Sequence, residues 1–208
     1  MHDFHHIVAV IALTMGVAWA SGINLYAAML TLGLLGATGN IILPPDLQIL
    51  THPAVIVAAG FMYFVEFVTD KIPGVDSGWD ALHTFIRIPA GALLAAGAVG
   101  PANPAIELAA AILGGGLAAG VHATKAGTRV MINASPEPFS NWIVSVLEDV
   151  IVIWGIWTAV RHPVFFLFFL AGCVLLMIWA LPRLWRAIKK LFGFIGRLFS
   201  RGKPDVAT

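Results

Sequence analysis

Long apolar runs dominate the chain, broken at proline, glycine and clusters of charge, and six of them approach the roughly 20 residues that carry a helix across a bilayer. They cover residues 6–36, 53–70, 80–99, 104–133, 141–160 and 163–181. The pattern predicts an all-α, polytopic integral membrane protein with one transmembrane domain over 1–181. The third run is interrupted by Arg87 and Pro89, so 79–88 could instead lie along the interface. Past Pro182 the periodicity changes, as Leu184, Ile188, Leu191, Phe192, Ile195 and Phe199 recur at helical spacing among basic residues. That spacing predicts an amphipathic helix over 182–201 resting on membrane lipids, followed by a disordered tail at 202–208.

Composition agrees with the pattern. Apolar residues make up 59% of the 208 and charged residues only 11%, outside the range of a water-soluble domain. Nucleic-acid binding, disorder and a disulfide scaffold are excluded, and the single cysteine, Cys173, permits neither an intrachain disulfide nor a cysteine-based zinc site. The net charge of +1 conceals an asymmetry: seven of the twelve Lys and Arg residues (Arg183, Arg186, Lys189, Lys190, Arg197, Arg201 and Lys203) follow the last span. The positive-inside rule then places the C-terminus in the cytoplasm, and six spans place both termini there, in the inner (cytoplasmic) membrane. The first turn lacks Lys and Arg, and the apolar stretch behind it is longer than a signal core, so the first helix is expected to be retained.

The halves resemble each other weakly. Ala20-Ser21-Gly22-Ile23-Asn24 parallels Ala118-Ala119-Gly120-Val121-His122, and Thr69-Asp70-Lys71-Ile72-Pro73 parallels 158–163 once one residue is skipped. With three spans each, halves over 6–99 and 104–181 would insert in opposite orientations, as in transporters built from inverted repeats with a site at their interface.

Charge within the spans is the most informative feature, because each ionised group near the bilayer centre costs roughly 2.5–3.5 kcal/mol on insertion scales. Glu66 and Asp70 share a helix face, Asp80, His83 and Arg87 form a second stripe, and His122, Lys125 and Arg129 a third. The fifth span adds Asn141, Ser145 and the neighbours Glu148 and Asp149, which project about 100° apart. Such stripes must converge to keep charge from lipid. Taking Glu66, Asp70, Glu148 and Asp149 against Lys71, Arg87, Lys125 and Arg129, the site is close to neutral. Acids beside bases, with histidine at mid-depth, are the materials of a proton relay or a cation site; the same groups could equally be structural ion pairs. Asn24 lies where Gly22 could open the first helix, and a matching opening is expected near Gly120 on the fourth. The connection 71–80 reads as a gate or as a turn capped by Asp76 or Asp80, and His2, His5 and His6 as an exposed polar start.

The blocks Glu66 through Pro73 with Asp76, then His83 and Arg87, then His122 through Arg129, then Pro138 through Asn141 with Ser145, Glu148 and Asp149, resemble the membrane family of unknown function numbered 4126. The resemblance spans about 18–160 and implies a small polytopic bacterial membrane protein with no established substrate. A fainter likeness joins Glu66, Asp70 and Lys71 to the Glu-x-Gly-Asp-Lys motif of small cation exchangers, although the acids here are four apart and the glycine is missing.

The expected function is transport of a cation or small charged solute, with coupling to protons as one form of it. Glu66, Asp70, Glu148, Asp149, His122 and Asn24 would bind it, and Lys125, Arg129 and Arg87 would substitute for the cation in the empty state or bind an anionic group if the solute carries one. The competing expectation is a non-transporting scaffold or subunit. The sequence contains no P-loop, dinucleotide fingerprint, nucleophile elbow or zinc-protease motif, so neither an enzyme nor a cofactor is expected. A homodimer is compatible with the small size.

Overall fold

The structure, a computed structural model, describes residues 2–134 and 139–200. The expected tail at 202–208, Pro138, and the side chains of Ile195 and Phe199 lie outside the described residues. Among the described residues six α-helices follow one another: α1 (His2–Ala37), α2 (Pro53–Thr69), α3 (Val75–Val99), α4 (Pro104–Asn133), α5 (Phe139–Arg161) and α6 (Pro163–Ser200). A 3-10 helix, Pro45–Thr51, precedes α2. No strand occurs among the described residues. Five helices (α1, α3, α4, α5 and α6) are long and apolar enough to cross a membrane, and α2 makes a sixth when joined to the 3-10 segment, from which it bends by 69°. Phe61, Phe85, Leu93, Ile112, Phe168 and Leu175 are exposed, an apolar exterior suited to lipid.

The first helix is not a straight span. Its backbone leaves the helical region at Asn24 (φ −146°, ψ 99°). Uninterrupted helix from 6 to 37 would hold its ends roughly 46 Å apart, and the five residues from Ala37 to Ile42 recover at most about 18 Å. Yet His6 and Ile42 line one cavity, together with Val99, Gly100 and Val160. The chain therefore doubles back at Asn24, giving one arm over 2–23 and a shorter return arm over 25–37. Both arms flank α5. Gly16 abuts Ala159 and Trp19 covers Gly155 on one side, while Thr31 and Leu35 approach Ile153 and Trp157 on the other. Buried apolar residues all round α1, among them Ala12, Val17, Trp19, Leu25, Ala28 and Leu32, make it the centre of the bundle.

The directions of the neighbouring helices follow from this turn. The start of α1 lies with the ends of α3 and α5, whereas Leu184 and Ile188 of α6 lie against Gly127, near the other end of α4. The beginning of α1 and the described last turns of α6 are thus at opposite ends of the bundle. The first arm also runs parallel to α4, with Ala18 beside Gly114 and Gly22 beside Ala118 and Val121. Segments related by an inverted repeat must run in opposite directions, so the stretches 20–24 and 118–122, which run in parallel, are not such a pair.

The amphipathic segment after Pro182 is the continuation of α6, which passes through Pro182 without ending. Its apolar residues Leu184 and Ile188 pack on Gly127 of α4, so part of the face expected to meet lipid meets protein instead. The third span is one helix through Arg87 and Pro89, and 79–88 is part of it.

Helices α3 and α4 join through small residues. A Cβ at Gly91 would come within 2.6 Å of Ala118, one at Gly114 would overlap Ala95, and one at Gly115 would sit 3.2 Å from Ala92. This is the close backbone approach that small residues permit in membranes. One or two turns further along the same pair the contacts become ionic.

A buried acid–base cluster at a helix break

At Asn24 the ladder of α1 is opened by its own side chain. The Ala27 amide, which in an unbroken helix would donate to the Ile23 carbonyl, donates instead to Asn24 Oδ1 at 2.9 Å. The carbonyl of Ile23 is released and accepts from Lys125 Nζ at 3.0 Å. Asn24 Nδ2 donates to Asp149 Oδ1 at 2.9 Å, tying the break to α5. The sequence placed an opening here through Gly22; Asn24 makes it. The matching opening expected on α4 is not present, since α4 is continuous through Gly120, whose carbonyl accepts from Thr124 Oγ1.

Around Lys125 the stripes converge as expected. Besides Ile23 O, Nζ lies 3.0 Å from Asp70 Oδ2, 3.5 Å from Glu66 Oε1, 3.5 Å from Glu148 Oε2 and 3.8 Å from Asp80 Oδ1. Each of these carboxylates also has an arginine. Arg87 donates to Glu66 Oε1 at 2.5 Å and Asp80 Oδ1 at 2.9 Å. Arg129 donates to Glu148 Oε2 at 2.5 Å and lies 3.5 Å from Asp70 Oδ2. It also donates to the backbone carbonyls of Asp70 and Asn141 and makes a short hydrogen bond to Asn141 Oδ1. Both guanidinium side chains are wholly buried.

His122 is held by its neighbours rather than poised for a ligand. Its Nδ1 faces the Arg87 Nη1 donor at 3.2 Å and must accept, so the ring hydrogen sits on Nε2, 3.1 Å from Asp80 O and 2.8 Å from Thr84 Oγ1. A second hydrogen on Nδ1 would expel Arg87. His122 thus supports Arg87 through Nδ1. His83 is likewise enclosed, stacked on Trp79 and bonded to Tyr26 Oη at 3.1 Å and Trp79 O at 2.9 Å.

Three features escape the sequence pattern. Asp76 joins the other acids, and Asp80, expected on a converging stripe but left out of the charge balance, is buried with them, which removes the expected neutrality by setting Glu66, Asp70, Asp76, Asp80, Glu148 and Asp149 against three buried bases, Arg87, Lys125 and Arg129. Asp76 is a structural member, its two oxygens accepting from Gly74 N, Ser77 N, Asn133 Nδ2 and Asn141 Nδ2, so it joins the start of α3 to the end of α4 and the start of α5. Lys71, counted among the bases, instead donates to Phe67 O at 3.0 Å and lies over the Phe67 ring. Burial lowers its ammonium pKa below the usual value, although Asp149 and Asp70 pull the other way.

The neighbours Glu148 and Asp149 divide their roles, the first facing Lys125 and Arg129 and the second Asn24. Glu148, with 16% of its side chain exposed, is the most accessible acid of the ion-paired cluster. It lines a cavity of about 230 Å³ with Lys125, walled by Trp19, Val121, Ile151 and Met177 from α1, α4, α5 and α6. Glu66, Asp70, Asp80 and Asp149 each retain one buried oxygen without a hydrogen-bond partner. Among the described residues no group of three or more His, Cys, Asp or Glu side chains is placed to hold a metal ion.

No curated protein and no solved structure matches the chain. A family described as a domain of unknown function, DUF4126, matches residues 11–183, so the whole cluster, from the Asn24 break to Asp149, falls within it. The chain belongs to the DUF4126 family.

Proposed function

We propose that the protein is a small transporter of a cation, in which Lys125 occupies the cation's seat when it is empty. The carrying observation is the shell around Nζ: a carbonyl freed by a helix break and carboxylate oxygens from α2, its cap and α5. Broken-helix carbonyls with acids are the usual donors for a desolvated cation at membrane depth. Lys125 is also the dispensable base. Every acid within 4.0 Å of it has an arginine as well, so its ammonium can leave without orphaning a carboxylate. Glu148, at the cavity wall, is the point of access.

In this reading the charged end faces the cytoplasm. Arg183, Arg186, Lys189 and Lys190 are exposed along the last turns of α6, with Arg183 over Trp179 and Lys189 over Trp185. At 38 residues α6 spans about 57 Å, well beyond a hydrocarbon core of roughly 30 Å, so these turns emerge among anionic headgroups. The start of α1, with no Lys or Arg, faces the other side.

The competing reading, a non-transporting scaffold or subunit, is favoured by Arg87 and Arg129, which bind several partners each and staple helices. Proteoliposomes loaded with a pH-sensitive dye and challenged with Na⁺, K⁺, Mg²⁺ or Mn²⁺ separate the two. Transport requires flux with the wild type that is lost in folded Glu66→Gln and Glu148→Gln. Absence of flux for every ion with folded wild type supports the scaffold.

A further inference from the structure

We propose that the cavity beside Lys125 is a binding site for an organic cation, a primary ammonium carrying an apolar body. The cavity measures about 230 Å³ and reaches the exterior at Leu176 of α6, an exposed residue of its lining. Trp19, Ile23, Val121, Ile151 and Met177 make its walls apolar, and its polar residues gather on α4 and α5: Thr124, Lys125, Thr128 and Glu148. Roughly 150 Å³ already admits a benzene ring, so a body of that size fits.

Charge and hydrogen bonding set the class of guest. Among the described residues Glu66, Asp70, Asp80 and Glu148 share three bases, Arg87, Lys125 and Arg129, so the ion-paired cluster is one positive charge short. Its most accessible acid, Glu148, is the one on the cavity wall. The hydroxyls of Thr124 and Thr128 donate to the carbonyls of Gly120 and Thr124 within α4, which leaves only lone pairs for the cavity. Lys125 Nζ donates to Ile23 O and Asp70 Oδ2, with oxygens of Glu66, Asp80 and Glu148 also within 4.0 Å. An anion entering here meets excess acid and no spare donor. A small metal ion would shed its water against apolar walls, which offer nothing in exchange. An alkyl- or arylalkylammonium loses least: its charge meets Glu148, its N–H groups meet the threonine oxygens, and its body leaves water for the walls. Lys125 is itself an ammonium on an alkyl stem held by the same acids, a pattern that such a guest repeats.

Binding at Glu148 leaves Lys125 in place; passage of the guest's ammonium into the seat of Lys125 rests on the transport reading. The two cations are close enough to compete, since Nζ lies 3.5 Å from Glu148 Oε2. Removing Lys125 therefore deepens the deficit of positive charge and strengthens the hold on a guest.

Radiolabelled phenethylammonium is the probe, titrated against the purified full-length protein in nanodiscs of zwitterionic lipid, with empty discs subtracted. The expected result is saturable binding, displaced by n-butylammonium and not by 2-phenylethanol, phenylacetate or K⁺ at equal concentration. Glu148→Gln should weaken binding by about tenfold or more, and Lys125→Met, which keeps Glu148 paired with Arg129, should tighten it by about tenfold. No saturable binding to wild type, displacement by 2-phenylethanol as readily as by butylammonium, or unchanged affinity in either folded variant would overturn the proposal. Where Glu148→Gln does not fold, the shift in Lys125→Met decides. Binding without flux of this or any other cation in proteoliposomes leaves the site standing and removes the transporter; cation flux without amine binding does the reverse.

Discussion

Helices α3 and α4 are joined twice, by different means. On one stretch Gly91, Ala95, Gly114, Gly115 and Ala118 bring the backbones together with no charged side chain facing the glycines. A turn away, Arg87 and His122 meet, and Lys125 and Arg129 follow on α4. The first contact is closed by shape and has one satisfactory arrangement. The second is closed by charge, with several oxygens within 4 Å of each base. Shape alone suffices to hold helices together in lipid, so the cost of burying charge at the second contact points to a use beyond adhesion.

Removing one base at a time breaks this comparison most severely. Arg129→Met should cost about 3–5 kcal/mol, because Glu148 loses its closest partner and the carbonyls of Asp70 and Asn141 lose their donor. Lys125→Met should cost clearly less, since Arg87 or Arg129 still faces every acid it touches. Denaturation of each variant in mild detergent measures the gap. Equal losses would make Lys125 a staple like the arginines and remove the basis for treating it as displaceable.

Next in size is the shape-closed contact. Gly114→Leu should destabilise by about 1–3 kcal/mol or prevent folding, because even its first side-chain carbon would overlap Ala95. The same denaturation assay checks it, and a variant as stable as wild type would mean that the seam is looser than its glycines imply.

How much of this was legible beforehand depends on whether a feature is local. The acids and bases at helical spacing, Glu66 with Asp70 and His122 with Lys125 and Arg129, announced their shared faces, and six spans followed from length and apolarity, where the structure has five such helices, or six with the bent pair. The return of α1 at Asn24 is a long-range fact, visible only as excess: 36 residues are too many for one crossing, and no proline marks the turn. Gly22 drew attention there, but its role is close approach to Ala118 and Val121, and the side chain two residues later opens the helix. Asp76 and Asp80 look like cap residues in sequence, and their burial depends on α4 and α5 closing over them. The apolar face after Pro182 was read as lipid-facing because periodicity shows that a face must be covered without saying by what; Gly127 covers part of it.

A third test concerns the break. Asn24→Ala removes the cap on the Ala27 amide and the donor to Asp149, and should cost about 1 kcal/mol for the cap. Amide hydrogen exchange should show faster exchange at Ala27 and its neighbours in the return arm, with α3 and α4 unchanged. Protection equal to wild type would mean that α1 is held open from outside, by Lys125 on the Ile23 carbonyl, and not from within.

The smallest expected effect is the most discriminating for the shape-closed contact, because three consecutive glycines differ in what faces them. A methyl at Gly114 overlaps Ala95, one at Gly115 meets Ala92 at 3.2 Å, and one at Gly116 meets nothing within 4 Å. Gly116→Ala should therefore stabilise by roughly 0.5–1 kcal/mol, the conformational entropy saved in a helix interior. Gly115→Ala should fall near zero, where that gain is offset by a shift of Ala92, and Gly114→Ala should be destabilising. Melting of the three variants in one detergent gives the order. A flat series would mean that α3 and α4 can separate by a few tenths of an ångström at no cost, and the contrast between a contact closed by shape and one closed by charge would then fail at its better-defined side.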